Sequence, residues 1–248
     1  MVSLTNASGN SVFPPVFRLE KVPFFANVEK WYTLPHEIDF DRQPLPAGHH
    51  YMEPVVAMDR QETYSPQYQL FLRLAARAPG NKLIFCSLGT VTNSLLPDSS
   101  VLMNFYTRLL QIAQTCPELY FLVKTDQRVA SNLKTCTMNC IFTAFAPQLD
   151  VLERADIFIT HAGGNSALGA IWTATPILTV PPVARWDYNG YAARVVYHHL
   201  GLKTDLTVAA QPLQKAIYEL IQNDLCRTKI GCVSNCMIGC HCDGGQPF

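Results

Sequence analysis

Between residues 82 and 222 the chain alternates short apolar runs with longer amphipathic ones, and this rhythm constrains the fold more than any other feature. KLIFCSL (82–88), LYFLVK (119–124), a short run at 140–143, IFIT (157–160) and 177–180 read as buried strands. Helical segments separate them. Residues 98–115 place Leu102, Phe105, Leu109 and Ile112 on one face, with Asp98 or Ser99 as cap. Residues 148–153, 165–172, 187–199 and 212–222 read as further helices. An amphipathic helix over 66–77 precedes the first of these strands, capped by Ser65, with Pro66 at its first position and Pro79-Gly80-Asn81 beyond its end. Strands that alternate with helices form βαβ units. The expected fold is therefore α/β, a Rossmann-like parallel sheet with helices on both faces. Such sheets bind ligands at the carboxyl ends of their strands, where the strand order reverses.

The turn HAGGNS (161–166) falls at such a place, after the strand IFIT and at the start of a helix. Gly163 and Gly164 let the backbone pass close to a ligand, and Asn165 and Ser166 supply side-chain donors. The first amides of the helix and its dipole favour an anion, most often a phosphate, and His161 adds a ring donor. A tight turn with a capping Asn or Ser and no ligand fits the same six residues. A second loop, SLGT (87–90), also follows a strand and precedes a helix, with the Gly89 amide beside the Thr90 hydroxyl. Two such loops in one parallel sheet favour a shared diphosphate site. FAPQ (145–148) supplies an aromatic face able to stack on a nucleobase; the alternative is that Phe145 is core and Pro147 merely starts a helix.

Composition narrows the function. Nineteen Lys and Arg balance 19 Asp and Glu, so a nucleic-acid partner, which requires a basic surface, is not expected. Backbone amides bind phosphate without net charge, so a phosphate ligand stays open. The most apolar stretch, 170–184, is broken by Pro176, Pro181 and Pro182, and MVSLTNASGN lacks the pattern of a secretory signal. A cytoplasmic location follows as an expectation, and Asn6-Ala7-Ser8 is then a chance sequon. Of nine cysteines, Cys86, Cys116, Cys136 and Cys140 lie in or beside apolar segments and read as reduced, buried thiols. The other five lie between Cys226 and Cys242. From Cys232 the spacing is C-x3-C-x3-C-H-C, which includes His241 and lacks the separated second pair of a zinc site. A disordered tail over 226–248 is expected instead.

Taken in order, FAPQ, THAGGNS, TPILTVP (175–181) and DYNGYAARV (187–195) resemble the donor-binding half of a UDP-dependent glycosyltransferase of the two-domain GT-B fold. The chain is similar to the family that glucosylates plant metabolites, macrolides, sterols and carotenoids. EIDFDR (37–42) and HYMEP (50–54) resemble the segment leading out of that family's acceptor domain, and the likeness covers about residues 30–224. It implies a remnant of the acceptor domain and connector over 1–55, and a UDP-sugar-binding domain over 56–225. By position, Phe145 would stack on the uracil, the Ala146 backbone would read its edge, and Gln148 would lie near the ribose. Thr90, His161, Asn165 and Ser166 would hold the diphosphate beside Gly89, with Gly164 near the sugar and Asp187 on its hydroxyls.

The resemblance also implies inverting, metal-independent hexosyl transfer. The acceptor would be a small hydroxylated molecule such as a lipid, terpenoid or polyketide, and no cofactor is expected beyond the UDP-sugar substrate. A helix N-terminus and a histidine stabilise a leaving diphosphate without a metal, and no carboxylate cluster reads as a metal cage.

Three departures stand out. Gly169 occupies the place of a ribose-binding glutamate. Tyr188 replaces a sugar-selecting glutamine, and the spacing from Pro181 to Asp187 is slightly long. The acceptor domain with its histidine base has no counterpart, and His36, His49 and His50 do not match that base. The chain thus reads as half an enzyme, whose cleft face favours self-association or a partner chain. The competing readings are a non-catalytic nucleotide-sugar-binding protein on the same fold and a Cys-tail metal module on an inert scaffold. A Rossmann dehydrogenase is disfavoured, because no G-x-G-x-x-G with a later acidic partner follows the first strand.

Overall fold

The computed structural model describes residues 29–40, 45–52, 66–89, 92, 96, 99–133, 137–183 and 187–242. In chain order these form β1 (Lys30–Tyr32), a 3-10 turn (His36–Ile38), β2 (His49–Tyr51), α1 (Pro66–Ala75), β3 (Lys82–Ser87) and α2 (Ser99–Thr115). Then come β4 (Leu119–Lys124), α3 (Gln127–Asn132), β5 (Cys140–Thr143), α4 (Gln148–Leu152), β6 (Ile157–Thr160) and α5 (Gly164–Trp172). The chain continues through β7 (Ile177–Thr179), α6 (Tyr188–Tyr197), β8 (Gly201–Lys203), α7 (Ala210–Ile221) and α8 (Asp224–Cys242).

Six strands make one sheet in the order β5-β4-β3-β6-β7-β8, and every pairing is parallel. The chain builds outward from β3 to β5, then returns to the other side of β3 and builds outward again. The reversal between β3 and β6 is the switch point, and the loops leaving both strands meet there.

Both faces of the sheet are buried, as parallel sheets require. Successive side chains in a strand point to opposite faces. Ile84 and Cys86 accordingly pack with Ile157, Ile159, α2 and α7, with Phe105, Leu109, Leu213 and Ile217 at the centre of that layer. Leu83, Phe85 and Phe158 face the other layer, built from Phe71, Val151, Leu152, Ala167, Ala170, Ile171 and Val195. The Phe85 and Phe158 rings stack there at 5.0 Å. The expected α/β fold is therefore present, and β4, β5 and β6 have the expected bounds.

The tail differs from expectation. Asp224–Cys242 is a helix rather than a disordered segment. Cys226, Ile230 and Met237 are buried, and the Ser234 hydroxyl donates to the Trp172 carbonyl at 2.7 Å. Positions 230, 233, 234 and 237 recur at helical spacing and lay one face of α8 on α5 and the 3-10 turn. Cys226 is buried in the opposite layer, with Ile217 and Leu220, and the density of cysteines concealed the period. Cys232 and Cys236 are exposed, and among the described residues no group of three His, Cys, Asp or Glu is placed to hold a metal.

The strand β8 was also unexpected. It is three residues long at the sheet edge, and a Cβ on Gly201 would collide with the Ile177 carbonyl. Only glycine allows this strand to approach β7 so closely. Asn6, Ser65, Asp98 and Cys136 lie outside the described residues.

Candidate functional site

At the end of β6 the chain turns sharply through Ala162, a buried residue with φ of 64°. Gly163 then starts α5 in extended geometry, with no side-chain cap. The first backbone bond of the helix runs from Ala167 N–H to the Gly163 carbonyl. The amides of Gly164, Asn165 and Ser166 thus form an uncapped first turn, and all three residues line a cleft of about 460 Å³.

His161 lies between the two loops. A Cβ on Gly89 would come within 2.8 Å of the imidazole Cε1 and Nε2, and one on Gly163 would collide with Nε2. Gly89 also has φ of 80°, which side-chain-bearing residues rarely adopt. The imidazole edge faces Tyr188 at 5.0 Å between ring centroids. Burial holds the His161 pKa below its ordinary value, partly offset by a bond to the Ser87 backbone and the charge of Asp187. The ring is therefore neutral at pH 7 and becomes cationic most readily when an anion is beside it.

The cleft brings together Gly89, Gln148, His161, Gly164, Asn165, Ser166 and Asp187. Thr90 lies outside the described residues. Phe145 and Ala146 lie off the cleft, beyond the end of β5. Phe145 is 58% exposed, which removes the reading of it as core, whereas Ala146 is buried. The Thr143 hydroxyl donates to the Phe145 carbonyl at 2.8 Å and fixes this turn with the ring outward. Gly169 packs beside the same region. A Cβ there would sit 3.7 Å from Gln148 Nε2 and 3.4 Å from Leu149 Cδ2, ordinary contacts that admit a side chain.

Sequence reasoning missed Lys124, Tyr191, Thr33 and Thr92, which also line the cleft. Lys124 was detectable, since a lysine ending a buried strand stands at the ligand-binding edge of a parallel sheet. Tyr191 was detectable as the residue one helical turn after Asp187. Thr33 carried no signal.

The wall opposite α5 belongs to α6 and the connector. The two Arg194 donors Nε and Nη2 reach Asp39 Oδ1 at 3.0 and 2.6 Å, and the Tyr51 hydroxyl donates to Oδ2 at 2.8 Å. Burial by itself would raise the Asp39 pKa. The bonds from Tyr51 and Arg194 outweigh it and hold the carboxyl below its ordinary value.

A separate hollow of about 490 Å³ lies at the opposite, amino-terminal ends of the strands, between α1 and the Asp150–Asp156 stretch. Its carboxylates are already engaged: Asp150 by Tyr68 and Arg154, Asp156 by Lys82 and the Leu83 amide. The uncapped helix and the histidine are at the other end.

Residues 60–237 match the family model described as UDP-glucoronosyl and UDP-glucosyl transferase. The zeaxanthin glucosyltransferase of Pantoea ananas is 27% identical over 204 residues, covering 80% of this chain and 43% of that protein. The crystal structure of the kitacinnamycin glycosyltransferase superposes with a TM-score of 0.68 at 20% identity, over 85% of this chain and 51% of that one. Os79 of O. sativa, solved with UDP, superposes at 0.54 with 20% identity, over 66% of this chain and 37% of that one. This chain spans less than half the length of the Pantoea protein. The structural likeness is that of one half of a GT-B glycosyltransferase.

Proposed function

Because the chain belongs to the UDP-glucoronosyl and UDP-glucosyl transferase family, we propose that it is the donor half of an inverting UDP-glycosyltransferase. The reaction moves a hexosyl group from a UDP-sugar to a small hydroxylated acceptor such as a lipid, terpenoid or polyketide. The observation that carries this reading is the convergence at the switch point of the uncapped α5 turn, His161 and Lys124. Three backbone amides, a ring nitrogen and an ammonium suit a diphosphate.

In the transfer, the acceptor oxygen forms a bond to the anomeric carbon as the bond from that carbon to the β-phosphate oxygen breaks. The electron pair leaves with UDP, where the amides, His161 and Lys124 offset the growing negative charge. The acceptor proton passes to a base supplied from outside the described residues. Among the connector histidines, His50 stacks on Trp31, His49 pairs with the Tyr32 hydroxyl and His36 packs on Tyr51, and none lines the cleft. Gln148 serves the ribose, Phe145 and the Ala146 backbone the uracil, and Asp187 the sugar hydroxyls. Thr90 belongs with the diphosphate groups. The proposal needs no metal or other cofactor, and transfer measured with and without a chelator tests that part.

The decisive experiment is calorimetric titration with UDP, repeated on His161→Ala and Ser166→Ala. Binding by the wild type that is weakened in both variants is expected. A wild type that ignores millimolar UDP would sink the reading. Gly169 favours a second reading, a non-catalytic nucleotide-sugar-binding protein on the same fold. A partner domain that restored sugar transfer to this chain would exclude it. Self-association through the open cleft face and a cytoplasmic location belong to the same proposal, checked by light scattering and by fractionation. Among the described residues no helix is long and apolar enough to cross a membrane.

A further inference from the structure

One face of α6 does something the diphosphate site does not require. Tyr191, Arg194 and His198 recur at helical spacing, and each meets the connector. Arg194 bonds Asp39, and His198 Nε2 lies 2.8 Å from the Asp39 carbonyl. The Tyr191 hydroxyl donates to the Thr33 carbonyl at 3.4 Å, long for a bond of this kind. The same hydroxyl lies 2.9 Å from the position of a Cβ on Gly164, directly over the first turn of α5. It is thus a buried phenol in the cleft wall, tied to one weak partner, in the space beside Gly164 where a Cβ would press on it. Burial and the charge of Asp187 keep it protonated and therefore a donor.

The two ends of a nucleotide sugar must leave the α5 turn in different directions. Gln148 and the Gly169 position lie on one side, toward β5 and the exposed Phe145. Asp187 and Tyr191 lie on the other. We propose that Tyr191 is a donor-contact residue whose hydroxyl bonds the sugar of the nucleotide sugar, and that Asp39 and Arg194 are the positioning pair that holds it there. On binding, the phenol exchanges its long bond to Thr33 for a shorter one to a sugar oxygen, which UDP lacks. The connector, which is remote in sequence, thereby sets the shape of the sugar subsite.

This inference rests on the donor-site reading, and its test separates the two. The intact chain is titrated with UDP and with UDP-glucose, as wild type, Tyr191→Phe, Arg194→Lys and the double variant. The ratio of UDP-glucose to UDP affinity is expected to fall about tenfold in Tyr191→Phe, the worth of one good hydrogen bond. Arg194→Lys is expected to lower the ratio about threefold alone and not at all in the Tyr191→Phe background, because the pair acts through the phenol. Asp39→Asn replaces Arg194→Lys if that variant does not fold. An unchanged ratio in Tyr191→Phe overturns the contact, and additive effects in the double variant overturn the positioning role. Absence of UDP binding by the wild type overturns the donor-site reading, and this inference with it.

Discussion

The two walls of the cleft are held by different forces. The α5 wall is continuous with the sheet: His161 follows β6 directly, its backbone is fixed by the β3 and β7 ladders, and apolar layers lie beneath it. The α6 wall also sends Ala192 and Val195 into that apolar layer, together with Leu34 and Ile38 of the connector, but it adds polar bonds to the connector such as that of Asp39 with Arg194, which 155 positions separate. The first wall is made by packing that a large part of the chain shares. The second adds to such packing a polar seam centred on one buried carboxylate. The α5 wall should therefore withstand changes in conditions, while the seam between α6 and the connector loosens once Asp39 loses its partners.

The strongest test of this contrast is Asp39→Ala. Removing one partner of a buried ion pair leaves the other uncompensated and costs about 3–5 kcal/mol. Urea unfolding should register that loss, and a change below about 1 kcal/mol would show that the second wall is not held by the pair. The pH dependence has a defined sign. The folded Asp39 carboxyl titrates below its ordinary 3.8, so the pair's contribution is present above that value and is lost as pH falls through the folded pKa. Asp39→Asn should flatten the acid limb of the stability curve.

The next largest effect belongs to the first wall. Gly89→Ala forces a side chain into left-handed backbone and against the His161 ring. UDP affinity should fall by about 2 kcal/mol, roughly thirtyfold, with a smaller change in stability. Retained affinity would mean that the imidazole does not need its present position.

Lys124→Gln should lower UDP affinity about fivefold and flatten its dependence on salt, as expected for a screened charge. An unaltered salt dependence would remove Lys124 from the site.

The smallest effect is the pH dependence of UDP-glucose binding, a ligand with no phosphate group titrating near neutrality. Free His161 titrates below its ordinary 6.5, and a bound diphosphate raises that value. The complex then holds more protons than its separated components, so affinity should rise about two- to threefold as pH falls from 7.5 to 6. His161→Gln should abolish the trend, and binding heats that are independent of the buffer would contradict it.

The same contrast explains what could be read from the sequence. Periodicity is local, so five of the six strands of the central sheet were visible, as were the HAGGNS turn and its place at a strand end. Seven of the expected cleft residues do meet. Lys124 and Tyr191 were overlooked because each reads as part of its element, an apolar strand and a helix after Asp187. The contact of Asp39 with Arg194 has no local signature, because an acidic residue in a proline-rich connector looks solvated until a distant helix is laid against it. Helix α8 was hidden by composition, since its buried positions carry Cys226, Ile230, Ser234 and Met237 among exposed cysteines.

The clamp on His161 bears on how such sequences can drift. Gly89 and Gly163 both border the ring, yet they are not equivalent. Gly163 has φ of −69°, which any residue adopts, so the imidazole alone forbids a side chain there. Gly89 is forbidden twice, by the ring and by its own backbone. A lineage that lost the histidine would be free to vary position 163 at once, while position 89 would remain glycine. The two glycines therefore record different histories: one persists only while His161 does, and the other persists for as long as the loop keeps its turn.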